Sequence, residues 1–223
     1  MAKRKEDDAK RHLQNVLNQK KLQHEAVMKS MPKYCLVGFI LCLVGLALFL
    51  VPWAEIYNTD IPGVEVTTNG FSFLAAAVTG DYTSTEAIYK DLAVPFNYYA
   101  ESWCYRMGLA TLAAGIALLI GLLVQLVTVL KKAYVLNFLA AVAGLLSGVS
   151  LLVVFFVGTT MKNSDILPIY CSGNPACSIH TYAFVPAIAL LLMGIINIPA
   201  FISYTKAEKD WKKSQAEAEK AGL

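Results

Sequence analysis

Four apolar runs constrain this chain more than any other feature. Each is about as long as a bilayer crossing, and none carries a charge at its centre. The run over 134–159 shows the pattern best, because it holds no charged residue at all. At about 1.5 Å per helical residue it is long enough for a hydrocarbon core of about 30 Å. Asn137, Ala141, Gly144 and Gly148 recur at helical spacing within it, and Ala140, Gly144 and Gly148 form a small-xxx-small ladder. Lipid tails are as apolar as leucine, so membrane helices associate through close packing, which small residues permit. This run is read as the hub of a four-helix membrane bundle.

The other spans are placed at 34–54, 103–130 and 181–204, with outer loops at 55–102 and 160–180 and charged tails at 1–33 and 205–223. The expected class is an all-α membrane protein: a four-transmembrane-helix bundle with a small extracytoplasmic cap containing a β-hairpin. Composition agrees. The chain is 57% hydrophobic and 16% charged, against roughly 45–50% and about 25% in soluble domains. The excess sits in the four runs, so one membrane domain with short tails is expected.

Ala110, Ala114, Ala117 and Gly121 make a second small face, on the second span. Gln125, Asn137 and Asn197 are the polar residues at depth and are read as interhelical hydrogen bonders. Pro32 stands where a first span would start, and Trp53 closes that span where an interfacial aromatic would sit. In the long loop, Val64, Val66 and Thr68 alternate with Glu65 and Thr67, then Asn69-Gly70 and Phe71 follow. That pattern predicts a hairpin turning at Asn69-Gly70, where both residues would need positive φ. Thr83 and Glu86 have capping-box spacing, which predicts a short helix over 84–92.

Charge sets the orientation. Sixteen Lys and Arg fall in the two tails and the Lys131-Lys132 turn, and three fall in or beside the two loops. The positive-inside rule then puts both termini in the cytoplasm and both loops outside, with the plasma membrane as the expected location. Cys171 and Cys177 fall on the oxidising side and are expected to form a disulfide. Leu13, Val16, Leu17, Val27 and Met28 give the first tail a partial helical stripe, suited to lying on anionic inner-leaflet lipid or docking a partner, or simply to a solvated tail.

The spans lack ionisable residues at their centres, and the chain has no phosphate loop, HExxH pair or GxSxG elbow. Catalysis, cofactor binding and metal binding are not expected, and the basic tail lies too close to the membrane to suggest nucleic acid.

The span order resembles that of claudins and peripheral myelin protein relatives. They share a long strand-rich first outer loop, a short inner turn and a shorter second outer loop, and Val51-Pro52-Trp53 ends the first span here in a similar way. The paired loop cysteines of claudins have no counterpart, since no cysteine lies between 43 and 103. Pro52-Trp53 followed by Asn69-Gly70-Phe71-Ser72 also looks like small four-span bacterial membrane proteins. Both resemblances cover the layout of 34–204 and imply fold rather than activity.

A non-enzymatic scaffold or accessory subunit is the expected function. Its outer cap would bind a partner protein through aromatics such as Tyr82, Tyr89, Tyr98 and Tyr99. The alternatives are a subunit of an oligomeric channel or transporter, with Gln125, Asn137 and Asn197 lining a polar path, and a membrane sensor or immunity-type protein. Homo-oligomerisation through the small-residue faces is a variant of the first.

Overall fold

The computed structural model describes residues 2–58, 65–79, 98–163 and 177–222. Helix α1 spans Ala2–Ala47, strand β1 Pro52–Asn58, strand β2 Glu65–Asn69 and helix α2 Gly70–Thr79. Helix α3 spans Tyr98–Lys131. A 3-10 turn at Tyr134–Leu136 leads into helix α4, Asn137–Asn163. Strand β3, Cys177–Thr181, precedes helix α5, Phe184–Lys220. The helices α1, α3, α4 and α5 are each long and apolar enough to cross a membrane. The fold is an all-α, four-span bundle carrying a small sheet at one end.

The four helices form a ring. Helix α4 packs along both α3 and α5, α5 packs along α1, and α1 closes onto α3. Small residues set these contacts. A Cβ added at Gly144 would lie 2.7 Å from Gly194 N and 2.9 Å from Leu190 O, so α4 and α5 meet backbone to backbone. Gly148 faces Leu191, and Gly194 faces Leu145. Gly121 of α3 faces Met193 and Ala143, while Ala114 and Ala140 are fully buried and Ala110 packs at the edge of the core. The predicted packing faces therefore lie inside one chain. The hub role is shared, because α5 packs as extensively as α4.

The two long helices run well past the apolar core. Helix α1 has 46 residues and α5 has 37, about 69 Å and 55 Å at 1.5 Å per residue. The first tail and the first span thus share one continuous helix. Pro32 lies inside α1 rather than opening it, and α5 passes from its span into 205–220 without a break.

At the opposite end the sheet has the order β2-β1-β3, antiparallel throughout. The expected hairpin forms differently. The partner of β2 is β1, with Tyr57 opposite Glu65 and Pro52 opposite Asn69. Asn69 ends the strand and Gly70 opens α2, and among the described residues only Lys132 and Gly222 have positive φ. The reason is tertiary. Gly70 lies against the indole of Trp53, where a Cβ would come within 2.5 Å of Cζ2, and Leu74 reaches α3 beside Gly115.

Trp53 is also relocated. Helix α1 ends at Ala47, and Trp53 stands buried in β1 rather than closing the helix. Its Nε1 donates to Leu48 O at 2.8 Å, and its ring meets Phe49 edge-on at 4.7 Å. The expected helix over 84–92 lies outside the described residues.

The expected Cys171–Cys177 disulfide is not formed, since the structure has no close pair of Sγ atoms. Cys177 begins β3, where its backbone pairs with Asn58. The ladder with β1 holds that strand in register, so nothing in the sheet requires a covalent closure. Cys171 itself lies outside the described residues.

Candidate functional site

Three elements bring the predicted polar residues together at the end of the bundle away from the sheet. Gln125 comes from α3, Asn137 opens α4 and Asn197 comes from α5; all three are fully buried. Gln125 Nε2 donates to Asn197 Oδ1 at 2.8 Å, and Asn197 Nδ2 donates to Met193 O at 2.8 Å. On α1, Gly38 leaves room for this pair: a Cβ there would lie 2.6 Å from Gln125 Nε2 and 2.9 Å from Asn197 Nδ2. One turn earlier, Cys35 Sγ donates to Asn137 Oδ1 at 3.4 Å. Gln125 Oε1 and Asn137 Nδ2 have no protein hydrogen-bond partner.

Two polar pairs thus link the helices, Gln125–Asn197 joining α3 to α5 and Cys35–Asn137 joining α1 to α4. Amides are neutral, so the cluster can fix helix register but offers no proton relay of its own. A second tie lies nearer the middle of the bundle, where Ser147 Oγ of α4 donates to Ala114 O of α3 at 3.0 Å.

Beyond the cluster, α1 and α5 continue as an antiparallel two-helix stalk. Its entrance is plugged by Met31, Cys35, Tyr134 and Ala200, with Tyr134 edge-on to Tyr204 at 5.8 Å. The seam repeats in alternating steps of three and four, the spacing of a coiled coil. On α1 it runs through positions 10, 13, 17, 20, 24, 27 and 31, and on α5 through 197, 200, 204, 207, 211, 214 and 218; all are half-buried or buried. Of the stripe expected in the first tail, Leu13, Leu17 and Val27 fall on this seam.

Polar residues close the stalk. Lys20 Nζ reaches Asp210 Oδ2 at 3.1 Å, and His24 Nε2 meets Glu208 Oε2 at 3.0 Å. The His24 ring stacks on Trp211 at 5.9 Å, and Lys212 Nζ takes the other oxygen of Glu208 at 3.2 Å. The hydrogen bond from His24, then that from Lys212, holds the Glu208 carboxyl below its ordinary value of 4.5. Sequence reasoning missed these six residues. The available signal was the unbroken heptad spacing through Ala218, hidden because its positions are not uniformly apolar.

Among the predicted partner contacts, Tyr82 and Tyr89 lie outside the described residues, and Tyr98 and Tyr99 open α3. Among the described residues, no three of His, Cys, Asp and Glu converge as metal ligands would. No protein-family model matches the chain, and no curated protein matches it.

Proposed function

We propose that this protein is a non-enzymatic membrane scaffold or accessory subunit. Its sheet-end cap binds a partner protein outside the cell, and its stalk projects into the cytoplasm. The observation that carries this reading is the way the two longest helices are joined. Strand β1 begins five residues after α1 ends, β3 ends three residues before α5 begins, and β1 and β3 are neighbours in one sheet. The same two helices are tied at the other end by Lys20–Asp210 and His24–Glu208. A partner held on the cap is thereby kept in fixed register with the stalk.

The charge bias supports the orientation, with the plasma membrane as the proposed location and anionic inner-leaflet lipid around the stalk's base. Tyr82, Tyr89, Tyr98 and Tyr99 remain the proposed contacts. The buried amides give structural glue more support than a polar path, because Gln125 and Asn197 bond to each other.

The continuity of α1 and α5 also favours a second reading, a sensor in which a peptide on the cap alters the crossing of the stalk helices. Gentle extraction and mass analysis of the intact particle tests the first reading. A particle holding a second protein in fixed ratio supports it. A lone chain overturns it and leaves the sensor, for which deletion of 205–223 should abolish the response while surface binding survives. A particle of several identical chains points instead to the oligomeric channel.

A further inference from the structure

A groove of about 390 Å³ runs along the α1–α5 seam where the two helices leave the apolar core. It is lined by Ser30, Lys33, Tyr34 and Val37 of α1 and by Ile196 of α5. The α1 residues recur at steps of three and four, so they share one helix face, about 10 Å long at 1.5 Å per residue. That face is graded. Its end towards the stalk carries a hydroxyl and an ammonium, its middle a phenol, and its end towards the bundle only Val37 and Ile196.

A glycerophospholipid has the same gradient along the membrane normal. Lys33 is exposed and makes no ion pair among the described residues. Helical side chains lean towards the helix N-terminus, so the Lys33 ammonium is directed out of the apolar layer, towards headgroup level. No Asp or Glu occurs between Glu25 and Glu55 or between Asp165 and Glu208, so no carboxylate on either lining helix competes at this level.

We propose that this groove is a stoichiometric binding site for one anionic phospholipid. The headgroup phosphate lies against Lys33 and accepts a hydrogen bond from Tyr34 Oη, and an acyl chain lies over Val37 and Ile196. The proposal rests on the stalk facing the anionic leaflet, and it adds a defined seat to what would otherwise be diffuse attraction.

The test is native mass spectrometry of the full chain released from vesicles of equal parts phosphatidylserine and phosphatidylcholine. One retained phosphatidylserine per chain is expected. Lys33→Gln should lower its retention about fivefold, the size of one cation's contribution near an anionic surface. Ile196→Trp fills the groove without removing a charge and should lower retention as well, which keeps the test informative should Lys33→Gln fail to fold. Lys131→Gln with Lys132→Gln, outside the groove, should leave it unchanged. Preference for phosphatidylserine that ignores Lys33 and Ile196 would overturn the site while sparing the orientation. Equal retention of both lipids would overturn the site, whereas the orientation is tested separately by cysteine labelling.

Discussion

Adding one methyl group at Gly144 tests how α4 and α5 touch. An ideal Cβ there would lie 2.7 Å from Gly194 N, 2.9 Å from Leu190 O and 3.0 Å from Gly194 Cα. Non-bonded carbon contacts settle near about 3.5–4.0 Å, so the helix axes have to part by about 1 Å. All three opposing atoms are backbone, so no side chain can turn away to absorb the methyl. Overpacking of this kind costs about 1–3 kcal/mol. Replacing glycine in a helix returns about 0.5–1 kcal/mol by lowering the entropy lost on folding. The net expectation for Gly144→Ala is a loss of up to about 2.5 kcal/mol, centred near 1. The parting also strains the amide cluster, since Asn197 lies one turn beyond Gly194. Gly115→Ala is the control: its Cβ would lie 3.1 Å from Leu74 Cδ1, the free end of a side chain that can move aside. It should be neutral or stabilising by up to about 1 kcal/mol. Reversible unfolding in mixed micelles compares the two against the parent chain. Equal stability of Gly144→Ala and Gly115→Ala would refute the backbone contact and the ring order built on it.

A double-mutant cycle on Gln125→Leu and Asn197→Leu should give a coupling of about 0.6–1.7 kcal/mol in the same assay, the range for interhelical hydrogen bonds in membranes. Strictly additive losses would show that the 2.8 Å contact contributes nothing. Glu208 is depressed in the folded state, so its stabilising effect is complete above 4.5 and is lost as pH falls through the lower folded value. The fluorine resonance of fluorotryptophan-labelled protein, assigned to Trp211 by its loss in Trp211→Phe, should shift over that acid range and stay flat in Glu208→Gln. Gln23→Cys should gain one impermeant maleimide beyond the labelling of the parent chain only after the membrane is opened; that extra mass in intact cells would reverse the proposed orientation.

The spans, the glycine ladder and the depth of Gln125, Asn137 and Asn197 were legible in the sequence. Lipid imposes near-uniform apolarity on whatever crosses it, so deviations such as a glycine or an amide stand out and mark contacts. The cap was less legible because its local signals compete with tertiary ones. Asn69-Gly70 reads as a turn by itself, yet Gly70 is needed where the chain passes the Trp53 indole, and the run after it suits a helix packed on α3. Trp53 reads as an interfacial residue until the β1–β3 ladder folds the chain over it, with Tyr182 N donating to Trp53 O at 2.7 Å. The stalk was illegible for another reason. Lys20 and His24 look like solvated charges on one helix, and become seam residues only when Asp210, Glu208 and Trp211 are set opposite them.

These contacts make α5 the helix that packs against most of the bundle. Helix α1 touches α4 only slightly and α3 moderately, whereas it packs on α5 along most of its length. Gly45 lies against Leu190, Cys42 Sγ donates to Met193 Sδ at 3.0 Å, and Gly38 lies against Asn197, so the pairing continues through the span into the stalk. Helix α5 in turn holds α4 by backbone contact at Gly144 and α3 through Gln125. Strand β3 is joined to α5 in sequence and to α1 through its ladder with β1, so the cap is tied to both stalk helices. The short α3–α4 connection, with Lys132 at φ 54°, anchors the other half of the ring against which that pair would shift. Both the scaffold and the sensor need this arrangement, and they differ in whether the pair is held still or displaced.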